Sequence, residues 1–226
     1  MTLENATGKS DSHVAHTLLE VPVHRELVVP IRQLKRDAAA QGFDLRIASG
    51  FRDFERQLAI WNRKASGQAA ILDDGGNRLE AEALSEPEKV FAILRWSALP
   101  GASRHHWGTD IDVYDAGAID ETYKVQLTVA ETCGSGPFAM FHCWLDGYLS
   151  ASPKGFFRPY ALDNGGVAPE PWHLSYWPLA EQYAALVSKD RLFYIVKSSE
   201  INLKTAILEN FDVIYDRFVT NISGGR

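Results

Sequence analysis

Cysteine is scarce in this sequence, and so is net positive charge. Only Cys133 and Cys143 are present among 226 residues. Two thiols cannot define a disulfide framework, and they read as buried side chains of an ordinary core. Lys and Arg number 23 against 29 Asp and Glu, for a net charge of −6. An acidic chain does not favour a phosphate backbone as partner, so nucleic acid is set aside. No apolar run approaches the ~20 residues that a bilayer-spanning helix needs. The opening stretch "MTLENATGKSDSHVAH" lacks the positive segment followed by an apolar one that marks a secretory signal. It fits a cytoplasmic start, or a chain whose signal has been removed. Internal repeats and low-complexity linkers are also missing.

What is there suits one globular domain with a modest appendage. Hydrophobic residues make up 46% of the chain, with six Trp, eight Tyr and eleven Phe to fill a core. Residues 1–14 are polar and are expected to fray. Ile31, Leu34 and Ala38 recur at helical spacing, with Gly42 as a stop. "FDLRIAS" over 43–49 alternates like a strand. "DFERQLAIWNRK" over 53–64 reads as a helix capped by Asp53. "EPEKVFAILRWSAL" over 86–99 reads as a helix with Pro in its first turn. "TDIDV" over 109–113 reads as a strand with Thr109, Ile111 and Val113 on one face and Asp110 and Asp112 on the other. "PFAMFHCWLDGYL" over 137–149 reads as an apolar helix. "GFFRPYALDNGG" over 155–166 is extended and turn-rich, leading into "EPWHLSYW". Two amphipathic helices follow Pro178, in "LAEQYAALVS" and "TAILENFDVIYDRFV". The class is α+β, a small sheet flanked by helices. The expected units are 15–178 as the main domain and 179–226 as a helical extension packed on it.

The chemistry gathers around "SRHHWGTDID" at 103–112 and "EPWH" at 170–173. A zinc hydrolase needs three protein ligands, an open position for water and a nearby base. His105 and Asp112 are separated by Gly108, which lets the chain turn so that a loop histidine and a strand carboxylate converge. Glu170 and His173 would complete the minimum set. Taken singly, each piece has a plainer reading. A His–Asp pair is often structural, ExxH arises by chance, and Arg52 after "SG" reads as a solvated turn residue. His106 stands beside His105, and Asp110 shares a strand face with Asp112, so residue type alone leaves both choices open.

"S-R-H-H-W-G-T-D-I-D" fits the signature S-x-H-x-x-G-x-x-x-D, and "E-P-W-H" fits E-x-x-H. "SGFRDFERQ" at 49–57 fits a further block, S-G-[YF]-R-x-x-x-x-Q. Together, and in this order, they resemble the zinc D-alanyl-D-alanine carboxypeptidases of VanY type. These peptidoglycan peptidases share a fold with lysostaphin-type enzymes and the hedgehog signalling domain. The resemblance implies a small antiparallel sheet and one zinc per chain, held by His105, Asp112 and His173. It implies Glu170 as the base acting on a zinc-activated water. It puts Arg52 near the substrate carbonyl, and Ser103 and Gln57 near the substrate's terminal residue. The signature's spacing selects His105 over His106 and Asp112 over Asp110. Asp110 then either orients a ligand histidine or is simply solvated. About twenty residues between Gly67 and Glu86 look like an insertion, placed to form a lid or a rim of the cleft.

The implied activity is removal of the terminal D-alanine from peptidoglycan stem peptides, with D,D or L,D specificity open. The alternatives are an endopeptidase of the same fold and a hedgehog-like zinc domain without catalysis. Retention of Glu170 and Arg52 argues against the latter, and the open fourth metal position argues for catalysis. The implied partner is a peptide ending in D-alanine. A monomer is expected. The resemblance points to the cell envelope, while the missing signal pattern leaves the cytoplasm open.

Overall fold

Alternating apolar residues in three separate stretches of chain build the central sheet. The computed structural model describes residues 1–151 and 155–224. In chain order the first elements are α1 (Leu3–Ala6), β1 (Val14–Ala15), β2 (Val23–His24), α2 (Val28–Ala39), β3 (Leu45–Ser49) and α3 (Phe54–Ala65). Next come β4 (Ile71–Leu72), β5 (Arg78–Leu79), α4 (Glu86–Leu94), β6 (Asp110–Asp115), α5 (Val129–Thr132) and α6 (Ala139–Ala151). The chain continues with β7 (Phe156–Phe157), β8 (His173–Tyr176), α7 (Trp177–Ala184), α8 (Lys189–Ser198), α9 (Lys204–Glu209) and α10 (Phe211–Ile214). The architecture is the expected α+β, with a four-stranded antiparallel sheet in the order β3-β6-β8-β7.

One face of the sheet is apolar. Leu45, Ile47, Ile111, Val113 and Leu174 pack there against Ile31, Leu34 and Ala38 of α2 and Phe141 and Leu145 of α6. The period of two then sends Asp110, Asp112, His173 and Ser175 to the opposite face. The register pairs Asp110 with Ser175 and Asp112 with His173. A second core joins Trp61 of α3 and Val90, Ile93 and Leu94 of α4 to Tyr183, Leu192, Ile207 and Phe211 of the C-terminal helices. Trp61 also donates its indole N–H to the carbonyl of Asn202 at 3.0 Å.

Several expectations need correcting. The amino-terminal residues do not fray. Thr2 and Asn5 form a capping box on α1, Asn5 and Ala6 are buried, and the indole of Trp107 donates to the carbonyl of Ala6 at 2.9 Å. The polar side chains there satisfy one another, which composition does not reveal. Both cysteines are free and exposed rather than buried. Cys143 lies on α6 but off the face formed by Phe141, His142 and Leu145, which faces the core. β8 pairs in the sheet within "EPWHLSYW", for which no element was read. The last amphipathic stretch is broken into α9, α10 and a π-helical turn over Tyr215–Val219. Among the described residues no helix is long and apolar enough to cross a membrane.

Candidate active site

Asp112 and His173 meet because they are direct partners across β6 and β8. Facing residues on one side of an antiparallel pair have Cβ atoms about 4.5–5.5 Å apart. His105 arrives from a 3-10 turn over Arg104–Trp107 that ends at Gly108 with φ of 66°. A Cβ at Gly108 would lie 2.7 Å from the backbone nitrogen of His24, so glycine is required for both the dihedral and the close approach. The carbonyl of Gly108 accepts from that same nitrogen at 2.8 Å, tying the turn to β2. Single ligand atoms of His105, Asp112 and His173 lie within 4.8 Å of one another, and all three residues are buried.

The hydrogen bonds fix which nitrogen of each histidine faces the centre. Nδ1 of His105 lies 2.8 Å from the carbonyl of Gly50, which can only accept. That ring therefore carries its proton on Nδ1 and turns Nε2 toward Asp112, 3.4 Å from Oδ2. His173 is the mirror case. Its Nε2 lies 3.0 Å from Oδ1 of Asp110. Its Nδ1 is 3.3 Å from Oδ1 of Asp112 and 3.2 Å from Oε2 of Glu170. Oδ1 of Asp112 is buried without a hydrogen-bond partner. Lone pairs of two imidazoles and two carboxylates thus converge on one spot, an arrangement that a cation would satisfy.

Electrostatics agree. Burial pushes His105 down to about 4, helped by the charge of Arg52, so its lone pair is free at neutral pH. Burial also acts on His173, but Asp110, Asp112 and Glu170 overcome it and hold its pKa well above the usual value. A cation bound there would take the place of that extra ring proton and leave Nδ1 of His173 its lone pair. Burial raises the pKa of Glu170. Asp112 stays below the ordinary carboxylate range despite burial, because His105 and His173 favour its charge.

Asp110 is not solvated. It is fully buried, and four donors fill its carboxylate. Oδ1 accepts from His173 and from Nε of Arg104 at 2.7 Å; Oδ2 accepts from the hydroxyls of Thr109 at 2.8 Å and Ser175 at 3.0 Å. Burial opposes the charge, yet Arg104 and His173 hold its pKa to about 2. The strand alternation was read correctly, but β6 is central and covered on both faces, so its polar face is buried too. His106 points elsewhere. Its Nδ1 lies 2.6 Å from the carbonyl of Arg52, and its Nε2 accepts from the backbone of Gly101 at 3.1 Å.

Arg52, Ser103, His105, Asp112, Glu170 and His173 all line one cleft of about 290 Å³. Gln57 does not. It is fully buried, its amide NH2 donating to the carbonyl of Ala98 at 2.6 Å and its oxygen accepting from Nη1 of Arg52 at 2.8 Å. Both ends of the amide are used, which removes it from the substrate contacts expected of it. Nη2 of Arg52 reaches Ser49 at 3.3 Å. A register shift between Ile47 and Ser49 brings Ser49 opposite Asp112, and so brings the "SGFR" turn beside the metal ligands.

Sequence reasoning missed Lys64, Trp96, Arg104, Leu127 and Tyr160, which also line the cleft. Arg104 alone had a local signal, lying between Ser103 and His105. The segment after Gly67 forms the β4–β5 hairpin, a rim rather than a detached loop. Leu72 lines the cleft, and the carbonyl of Asp73 accepts from the indole of Trp96 at 2.9 Å.

A His–Asp–His trio with an adjacent carboxylate, set in a cleft on an antiparallel sheet, defines the class of metal-dependent hydrolases. The chain belongs to the VanY D-alanyl-D-alanine carboxypeptidase family, whose model matches residues 20–179. An uncharacterised protein of Haemophilus influenzae is 41% identical over 107 residues, covering 44% of this chain and 70% of that protein. A D-alanyl-D-alanine carboxypeptidase of Enterococcus faecalis is 29% identical over 153 residues, covering 66% of this chain and 46% of that longer protein. Among solved structures, a mutant of the vancomycin-resistance D,D-pentapeptidase VanY, in complex with Zn(II), superposes with a TM-score of 0.50 at 20% identity. That match covers 88% of this chain and 92% of the other, and supports the fold.

Proposed function

We propose that this chain is a zinc carboxypeptidase that removes the terminal D-alanine from peptidoglycan stem peptides. The observation that carries the reading is the convergence of His105, Asp112 and His173 with Glu170 alongside. Nε2 of His105, an Asp112 oxygen and Nδ1 of His173 would hold the ion. N and O donors of this kind suit zinc, and the related VanY structure contains Zn(II). Zinc at this position supplies a Lewis acid and lowers the pKa of water.

The chain's own groups account for the rest. Glu170 sits at the edge of the trio with its pKa raised by burial, which suits a group that takes a proton and later returns it to the leaving amine. Arg52 is held by Gln57 and Ser49, leaving the other N–H groups of its rigid fork for the oxygen on which negative charge develops. Ser103 lines the same wall, and Leu72, Trp96, Val167 and Trp172 supply apolar surface. Asp110 and the carbonyl of Gly50 hold the two histidine rings in the tautomers that ligation needs.

The test is incubation with stem tripeptide, tetrapeptide and pentapeptide, with products read by mass spectrometry. Release of a single D-alanine from the C-terminus is expected. Internal cleavage with no alanine freed would instead make the enzyme an endopeptidase.

A further inference from the structure

The cleft contains an ammonium group that neither the metal trio nor the proposed base uses. Lys64 lies in the last turn of α3 and is half-buried. Its Nζ donates to the hydroxyl of Ser97 at 2.7 Å. No carboxylate pairs with it among the described residues. An ammonium has three N–H donors, so two remain unspent in the cleft. The charges of Glu170 and Arg52 both act on it.

Lys64 and Arg52 line the same cleft. Gln57, Trp61 and Lys64 follow one another at i, i+4 and i+7, on one face of α3. Gln57 holds Arg52 and also the carbonyl of Ala98, and Lys64 holds Ser97. Ala98 and Ser97 are adjacent, with Cα atoms about 3.8 Å apart. The ammonium of Lys64 is therefore anchored one residue along the chain from the amide that anchors Arg52. A cleft lined by both a guanidinium and an ammonium fits a peptide end. The scissile carbonyl and the terminal carboxylate of such a substrate are one residue apart.

We propose that Lys64, braced by Ser97, binds the terminal carboxylate of the substrate and so sets the preference for cleaving the last residue. This rests on the carboxypeptidase reading and names the group that would make the enzyme act at a chain end. Gln57, the residue expected near that end, is fully buried and does not line the cleft. A purely structural role for Lys64, tying α3 to residues 97–98, would not distinguish a carboxylate from a neutral end.

The test offers blocked peptides ending in D-Ala-D-Ala in two forms, the free acid and the C-terminal carboxamide. Binding is read by tryptophan fluorescence on zinc-loaded Glu170→Gln protein, since Trp96 and Trp172 line the cleft, and turnover is read on protein with Glu170 intact. A charge-assisted hydrogen bond predicts about 10–100-fold tighter binding of the acid. Lys64→Met in the same background should cut that preference to within about threefold, by weakening acid binding alone. Lys64→Arg should restore most of it. Equal binding of the two forms before any change at Lys64 overturns the assignment, as does a preference that survives Lys64→Met. A wild type that turns over neither peptide contradicts the carboxypeptidase reading, while the binding comparison still decides the role of Lys64.

Discussion

Nε2 of His173 donates to Oδ1 of Asp110 at 3.0 Å, on the side of the ring away from Asp112 and Glu170. The proton is thereby fixed on Nε2 and the lone pair of Nδ1 is aimed at the other two ligands. Carboxylates that orient ligand histidines are typically worth about 10–100-fold in metal affinity. Asp110→Asn should lower zinc affinity by that order in a chelator competition. Asp110→Ala should also destabilise the fold by roughly 3–5 kcal/mol, because it leaves Arg104 buried without its partner. Unchanged metal affinity in Asp110→Asn would show that the bond does not orient the ligand.

Glu170 touches His173 but is spare in the trio, since His105, Asp112 and His173 suffice for three-residue ligation. Glu170→Gln should keep about one zinc per chain. It should lose roughly 10²–10⁴-fold in turnover, the usual contribution of a general base. Metal content by atomic emission and alanine release measured on the same sample check this. Turnover within a few-fold of wild type would remove Glu170 from the base role.

Gln57 is placed to act on catalysis only through Arg52. Arg52→Lys should lower kcat more than it raises KM, because a point charge replaces a fixed fork. Gln57→Leu should do the same more weakly, by about tenfold, since it removes one hydrogen bond of that fork. The double variant should be little worse than Arg52→Lys alone, the non-additivity expected of residues acting as a unit. Fully additive losses would give Gln57 a separate role.

Much of this site was legible through the family resemblance. The ordered blocks at 49–57, 103–112 and 170–173 named the residues that converge, and the alternation of β6 put both aspartates on one face. The helices α2 and α3 followed from their apolar periodicity, α4 was read with Pro in its first turn and α6 from its apolar run, with Asp53 capping α3 as expected. What spacing could not show was partnership. β8 lies in a Trp- and Pro-rich stretch whose strand character is imposed by pairing with β6. The fate of Gln57 depended on a carbonyl 41 residues away. The order of residues 1–14 depended on Trp107 and on Gly8, where a Cβ would lie 2.4 Å from the ring of His106. Lys64 carries no signal of its own among the basic residues of α3, and only the fold brings Ser97 against it.

Burial holds His13, His24 and His142 each to about 4, below their ordinary value of 6.5. The unfolded chain therefore binds protons near pH 6.5 that the folded chain refuses until about pH 4. Stability should be full above the upper value and decline as the pH falls toward the lower one. Urea midpoints across that range check this, on chelated protein so that metal loss does not contribute. His142→Gln should make the decline shallower by one proton, about 1.4 kcal/mol per pH unit. A slope unchanged by that substitution would contradict the account.

The central claim is that three residues distant in sequence hold one metal ion in a chemically defined way. Diffraction at the zinc edge, on crystals of metal-replete protein, tests it most directly. One anomalous peak is predicted, at about 2.0–2.2 Å from Nε2 of His105, an oxygen of Asp112 and Nδ1 of His173. Glu170 should face the ion's open position without ligating it. No peak at the trio, or a peak held by His106 or Asp110 instead, would contradict the account.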